Sequence, residues 1–422
     1  MISGQMTPLK LTDYTLTTAL GNGVESNWHG LRNNITGLQP CEFFNITDLK
    51  TWVGEVNSVD AISLPESLAE YDCRNNRLAV MALQQDDFKN TIKKAIARYG
   101  ANRIAVFIGT STSGIHQTEL AYLQRETEDA ALPDWYHYRS THNVFSSANF
   151  VSAYFGLSGI SAAISTACSS SAKVFASAHR AIEAGLCDAA LVGGVDSLCL
   201  TTLYGFNSLQ VISEDICRPS DSQRSGISIG EAAGFALIEK TNLNASDYSA
   251  NHSDSGSDND IDNNNSDFAL FGYGESSDAY HMSTPHPEGQ GAILAMEAAL
   301  EMAGLSPADI SYINLHGTGT EANDLAESAA VTMLFGKQLP CSSTKGWTGH
   351  TLGAAGIVEA IFSLLCLREN WLPKSLNTRE VDNRVSAGIL TESTPADTRY
   401  VLSNSFGFGG SNCSLIFGKL PQ

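Results

Sequence analysis

The chain has 422 residues, a length that accommodates two or three domains of ordinary size. At 43% hydrophobic and 17% charged residues its composition is that of a folded protein, not a disordered or fibrous one. Its 45 acidic residues outnumber 25 Lys and Arg, a net charge of −20, which opposes contact with a phosphate backbone and argues against nucleic acid as a partner. No stretch approaches the roughly 18–20 unbroken apolar residues of a membrane span, and the first residues carry no basic-then-apolar signal, so a cytoplasmic protein without a membrane span is expected.

In chain order, residues 160–164 predict a strand, 165–171 a tight turn of small residues around Cys168, and Phe175, Ala178 and Ile182 the apolar stripe of a helix that Gly185 is placed to stop. Residues 189–194 and 234–239 read as further buried strands. The stretch 244–267 contains six Asp and no Lys or Arg and is expected to be a surface insertion without a catalytic role. It separates an N-terminal half, 1–243, from a C-terminal half, 268–422. In the second half, 268–274 predicts a strand and 310–315 another that runs into His316-Gly317-Thr318-Gly319-Thr320. Residues 341–345 lead through Gly349-His350 into a helix with Ile357, Ile361, Leu364 and Leu365 on one side. Strands and helices alternating over short links predict an α/β layered fold, and their recurrence predicts a duplicated α/β unit.

The nine cysteines form no Cys-x-x-Cys pair and no Cys/His ligand spacing, so reduced thiols and no bound metal are expected. Cys168 stands apart, at the end of an apolar strand and just before a helix, where the helix dipole favours the thiolate. On this evidence alone it is either a nucleophile or a buried spectator thiol. His316 and His350 both lie in glycine-rich turns at strand ends, the usual ligand address of open α/β sheets, and each is a catalytic candidate or a satisfied core histidine. Lys345 follows an apolar strand end. Gly226-Ile227-Ser228-Ile229-Gly230 matches the nucleophile elbow of hydrolases, but no apolar strand precedes it and no helix follows, which disfavours Ser228. Phe406-Gly407-Phe408-Gly409-Gly410 lacks a dinucleotide fingerprint and no phosphate loop is present, so no cofactor is expected. One thiol and two imidazoles at strand ends suit acyl transfer through a thioester.

Taken together, Thr166-Ala167-Cys168-Ser169-Ser170, His316-Gly317-Thr318-Gly319-Thr320, Lys345 with Gly349-His350-Thr351-Leu352-Gly353, Ser277-Asp278-Ala279-Tyr280-His281-Met282 and Asn404-Ser405-Phe406-Gly407-Phe408-Gly409-Gly410 resemble the β-ketoacyl-[acyl-carrier-protein] synthases, in particular the elongating enzymes of type II fatty acid and polyketide systems. The resemblance implies the thiolase fold, a duplicated five-layered α/β/α/β/α architecture, and a dimer. It makes Cys168 the acyl-accepting nucleophile and gives His316 and His350 the decarboxylation of malonyl-carrier protein. The N–H groups of Cys168 and Phe408 become the oxyanion site, with Phe408 also a gate. Thr318 and Thr320 are then contacts of the phosphopantetheine arm, Phe406 and Thr112 lie with the substrate, and Lys345 and Glu359 form an ordering charged pair. Metal and cofactor are not required. Acyl carrier protein is the implied partner, with Arg74 and Arg77 as docking candidates, although acidic Glu214 and Asp215 stand where such enzymes carry basic contacts. Residues 225–234 resemble ketosynthases of aryl polyene pathways, so the dimer is expected either with itself or with a chain length factor. The competing reading, that the chain is itself such a silent subunit, is opposed by the presence of Cys168, His316 and His350 together.

Overall fold

The computed structural model describes residues 5–46, 48–241 and 267–420; the expected insertion lies outside them from 244 to 266. Its N-terminal half runs through strand Leu9–Thr18 (β1), helix Arg74–Leu83 (α1), strands Ile104–Gly109 (β2) and Ser161–Ile164 (β3), helix Ser170–Glu183 (α2), strand Ala189–Asp196 (β4), helix Leu200–Ser208 (α3) and strand Ala232–Lys240 (β5). The C-terminal half has strand Phe268–Ser277 (β6), helix Gln290–Ala303 (α4), strand Tyr312–Asn314 (β7), helix Glu321–Phe335 (α5) and strand Pro340–Ser342 (β8). Helix Ala355–Glu369 (α6) and strands Gly388–Ile389 (β9), Tyr400–Gly407 (β10) and Ser411–Lys419 (β11) complete it.

Among the described residues these strands hydrogen-bond in the order β9-β8-β7-β10-β11-β6-β1-β5-β4-β2-β3. Read outward from the centre, and leaving aside the short outermost strand β9, each half uses its first, fifth, fourth, second and third strands. The pairing repeats as well. In the first half β1/β5 and β5/β4 are antiparallel, then β4/β2 and β2/β3 parallel. In the second, β6/β11 and β11/β10 are antiparallel, then β10/β7 and β7/β8 parallel. Shared order and shared direction in all four steps make the duplication a property of topology. The strands of the two halves are joined where Leu9, Lys10 and Leu11 pair Leu270, Ala269 and Phe268, a short seam that leaves two sheets facing each other.

Apolar sequence dictates the layers. β2 and β4 are buried along their whole length, as expected of strands covered on both faces. Between the sheets lie α2 and α6, and every residue of α6 from Ala355 to Leu367 is buried. The two helices touch backbone to backbone: a Cβ on Gly356 would come within 2.4 Å of Ala172 N. α1 covers the first sheet, with Leu78, Val80 and Leu83 in its core, and α4 covers the second, with Met296 and Leu300 in its own. The stack is α/β/α/β/α. The expected stripe Phe175, Ala178 and Ile182 is buried on α2, and Gly185, at φ +69°, ends that helix. The strand expected at 310–315 is confined to Tyr312–Asn314, because a side chain of α5 takes the backbone N–H groups that follow. Among the described residues no helix is long and apolar enough to cross a membrane.

Candidate active site

Cys168 sits two residues before α2, after a β3 that supplies the apolar lead-in. Ala167 holds φ +52°, the left-handed region that a residue with a side chain occupies only when its surroundings require it. Those surroundings are explicit: Ser170 Oγ accepts the Thr166 N–H at 2.9 Å, Ser169 Oγ donates to the Thr166 carbonyl at 2.9 Å, and the Ser170 N–H donates to the Ala167 carbonyl at 3.1 Å. The small hydroxyl residues therefore build the bend that presents the sulfur.

His350 reaches that sulfur from the other half, with Nε2 3.0 Å from Cys168 Sγ. Its backbone is clamped, since its N–H donates to the Ser228 carbonyl at 2.7 Å and its carbonyl accepts the Gly230 N–H at 3.0 Å. The Leu352 N–H donates to Nδ1 at 3.3 Å, which leaves the ring proton on Nε2. His316 leaves β7 where the Glu327 carboxylate accepts its N–H and that of Gly317, each at 2.8 Å. Lys345 Nζ stands 3.4 Å from His316 Nδ1 and also donates to the His316 carbonyl. An ammonium has donors only, so His316 too keeps its proton on Nε2. Lys345 is paired with Glu359 in the same buried space. The imidazole centroids are 5.3 Å apart and nearly perpendicular. Among the described residues Cys168, His316 and His350 are the group of three whose donor atoms lie within 4.8 Å of one another; the ammonium of Lys345 beside them makes a dication unwelcome.

Burial sets the charge states. It holds both imidazoles well below the ordinary histidine range, with Lys345 pushing the same way, so both are neutral at pH 7. It lifts Glu359 to about 7 against the pull of Lys345. Cys168 corrects an expectation: burial pushes the thiol up to about 12, against the opposing effects of Lys345 and of the Phe408 N–H aimed at the sulfur. The helix start does not leave a free thiolate at rest.

The cluster opens into a cavity of about 170 Å³ whose walls include Thr318, Thr320, Phe406 and Phe408. Thr318 and Thr320 are joined hydroxyl to hydroxyl at 2.8 Å. Thr112 and Arg74 are turned away from the roles expected of them, and the context that disfavoured Ser228 is matched by its burial. Thr112 does not line this cavity; its hydroxyl and N–H are turned to Asp196 at 2.8 and 2.9 Å. Arg74 is buried and ion-paired to Glu231 and Asp60, so its charge is withdrawn from any docking surface, whereas Arg77 is partly exposed and ion-paired to Asp72. Ser228 is fully buried, its hydroxyl accepting the Cys217 N–H at 3.1 Å, and the strand-like 229–240 follows in place of a helix; its contribution is the carbonyl that holds His350. Two residues were not foreseen: Glu327, which bends the chain at His316, and Phe206 of α3, whose ring lies 5.6 Å from that of Phe408 across the cavity mouth. An acidic residue inside an Ala/Ser-rich helix was the available signal for Glu327.

Comparison with known proteins agrees. The model of the β-ketoacyl synthase N-terminal domain matches residues 11–244 and that of the C-terminal domain residues 268–379. The chain is 30% identical to 3-oxoacyl-[acyl-carrier-protein] synthase 2 of Vibrio harveyi over 98% of each chain, and 30% identical to the Staphylococcus aureus protein of that name over 97% of each. Among solved structures it is similar to the ketosynthase ApeO, determined in complex with its chain length factor ApeC from Xenorhabdus doucetiae, at 39% identity and a TM-score of 0.85 over 98% of both chains. It is also similar to the ishigamide ketosynthase/chain length factor, at 26% identity and a TM-score of 0.84, over 98% of this chain and 100% of that one. With both halves matched by their own family model and full-length relatives sharing one activity, the chain belongs to the β-ketoacyl synthase family, as an elongating 3-oxoacyl-[acyl-carrier-protein] synthase with the thiolase fold.

Proposed function

We propose that Cys168 carries the growing acyl chain while His316 and His350 hold the enolate that extends it. The observation that carries the assignment is the convergence of two imidazoles and one thiol, whose donor atoms lie within 4.8 Å of one another, in a cavity walled by both aromatic and hydroxyl side chains. In the first step Cys168 sulfur attacks the acyl thioester on carrier protein. A C–S bond forms to Cys168, the bond to the pantetheine sulfur breaks, and that sulfur leaves with the proton the thiol gave up. The N–H groups of Cys168 and Phe408 stabilise the tetrahedral oxyanion. In the second step malonyl-carrier protein enters along Thr318 and Thr320. Its carboxylate bond breaks, carbon dioxide leaves, and the electron pair becomes an enolate whose oxygen both imidazoles donate to. The enolate carbon attacks the Cys168 thioester, the new C–C bond forms, and the C–S bond breaks to leave the Cys168 thiolate, which takes a proton from solvent to return to the resting thiol. Fixed donors on the buried His316 and His350 stabilise this charge more than reorienting water would, and loss of carbon dioxide makes the sequence irreversible.

Acyl carrier protein is the proposed acyl donor and acceptor, and a second ketosynthase-like chain the proposed partner. The supporting features are the 39% identity to a ketosynthase determined with its chain length factor and the outer edge of β3. This strand ends the sheet beside Ile160, which is 40% exposed, and an uncovered strand edge invites pairing with another chain. The test of the chemistry is Cys168→Gln: condensation is abolished while decarboxylation of malonyl-carrier protein continues. Loss of both activities contradicts the division of roles.

A further inference from the structure

Asp196 has no part in the chemistry just described, yet it is the most heavily hydrogen-bonded carboxylate near it. It ends β4 and is fully buried. On one side it accepts the hydroxyls of Thr110, Ser111 and Thr112 at 2.6, 2.7 and 2.8 Å and the N–H groups of Ser111 and Thr112 at 3.0 and 2.9 Å. On the other side it accepts the N–H of Gly353, which Ser111 Oγ shares at 2.8 Å. Only glycine fits there, because a Cβ at 353 would stand 2.7 Å from both Asp196 Oδ2 and Ser111 N.

Gly353 follows Leu352, whose φ is +53°. A left-handed leucine is strained and persists only where neighbours hold it. The strain has a use: in this conformation the Leu352 N–H points back at His350 Nδ1, which places the other ring proton on Nε2, 3.0 Å from Cys168 Sγ. The chain of contacts runs from a buried charge through one peptide to the tautomer of a working histidine.

We propose that Asp196 is a positioning residue of the condensing site: by gripping the Gly353 N–H it holds Leu352 left-handed, and so fixes His350 as the Nε2–H tautomer directed at Cys168. The proposal rests on the ketosynthase roles assigned above.

The experiment measures decarboxylation of malonyl-carrier protein by the full-length protein. Asp196→Asn keeps the volume but turns an amide NH2 toward donors. It lowers kcat by about 10- to 100-fold, the scale seen when a group orienting a functional histidine is lost, with KM for malonyl-carrier protein changed by less than about twofold. Thr110→Val deletes a hydroxyl on the opposite side of the same carboxylate; it lowers thermal stability but leaves kcat within about threefold. Wild-type kcat in Asp196→Asn overturns the proposal, and so does an equal loss of kcat in Thr110→Val, which would make the network merely structural. Should Asp196→Asn not fold, Ser111→Ala, which removes the second acceptor of the Gly353 N–H and a donor to Asp196, carries the same expected split and the same power to refute. A wild-type protein without decarboxylase activity removes the ketosynthase roles themselves, an outcome distinct from an active wild type with an unaffected variant.

Discussion

His350 Nε2 lies 3.0 Å from Cys168 Sγ across 182 residues of sequence, and the two residues hold equivalent places in the two halves. Each comes after the third strand of its half, β3 or β8, and ahead of the central helix that follows, α2 or α6. Because the facing helices touch at Gly356 and Ala172, the turns that precede them are brought to one point. Duplication thus supplies both partners of the pair: one copy of the turn carries a nucleophile and the other a hydrogen-bond donor.

The two histidines differ in what they touch, which predicts separable defects. His350 contacts the sulfur, whereas His316 is tied to Lys345. His316→Asn is expected to slow decarboxylation by about 10²- to 10³-fold, the scale of losing one oxyanion donor, while acyl loading of Cys168 stays near wild type. His350→Asn is expected to slow both. Intact-mass measurement of acyl-enzyme formation beside a decarboxylation assay distinguishes them; equal defects in both variants would contradict the assignment.

Thiol reactivity follows from burial. With Cys168 raised to about 12, the thiolate fraction at pH 7 is small and grows as protons are withdrawn. Alkylation of Cys168 by iodoacetamide is therefore expected to accelerate by about tenfold per pH unit from pH 7 to 9 without a plateau. Peptide mapping is required, because Cys41 is the more accessible thiol. A plateau beginning near pH 7 would show that the Phe408 N–H and Lys345 outweigh desolvation.

Lys345 and Glu359 are a buried ion pair at the back of His316. Removing one partner strands the other, at a cost of about 3–5 kcal/mol. Lys345→Met and Glu359→Gln are each expected to destabilise the protein on that scale in urea unfolding, and the double variant by less than the sum of the two. All three lose condensation, since His316 no longer has its Nδ1 donor or that donor's counterion. Additive destabilisation would mean that the pair is not coupled.

What was legible in the sequence and what was not divide along physical lines. Cys168, His316 and His350 were readable because small residues and glycines must surround a side chain that emerges at a strand end, and those residues are contiguous in the chain. The apolar runs announced β4, β5 and α6 for the same reason. Asp196, Glu327 and Leu352 act through partners 157, 11 and 2 residues away, and only the Leu352 contact is local. Even that depends on a backbone angle that leucine does not announce. Thr112 was misread because its place near the site does not tell which way the hydroxyl turns, and the answer depended on an unanticipated carboxylate.

Arg74 was misread in the same way, and its correction yields a clean test. The guanidinium reaches Glu231 through Nε at 3.0 Å and through Nη2, and Asp60 through Nη1 at 2.8 Å. Glu231 itself accepts the N–H groups of Val56 and Leu198, both at 2.9 Å, so the pair ties α1 to the loop before it and to the segment after β4. A docking arginine lies in solvent, and replacing it raises KM for carrier protein without touching the melting temperature. A buried, multiply bonded one does the reverse. Arg74→Met leaves the Glu231 carboxylate buried without its main counter-charge, a loss of about 3–5 kcal/mol. The expected result is a large drop in thermal stability with KM for acyl-carrier protein unchanged at a temperature where the variant is folded. A raised KM at unchanged stability would return Arg74 to the docking surface.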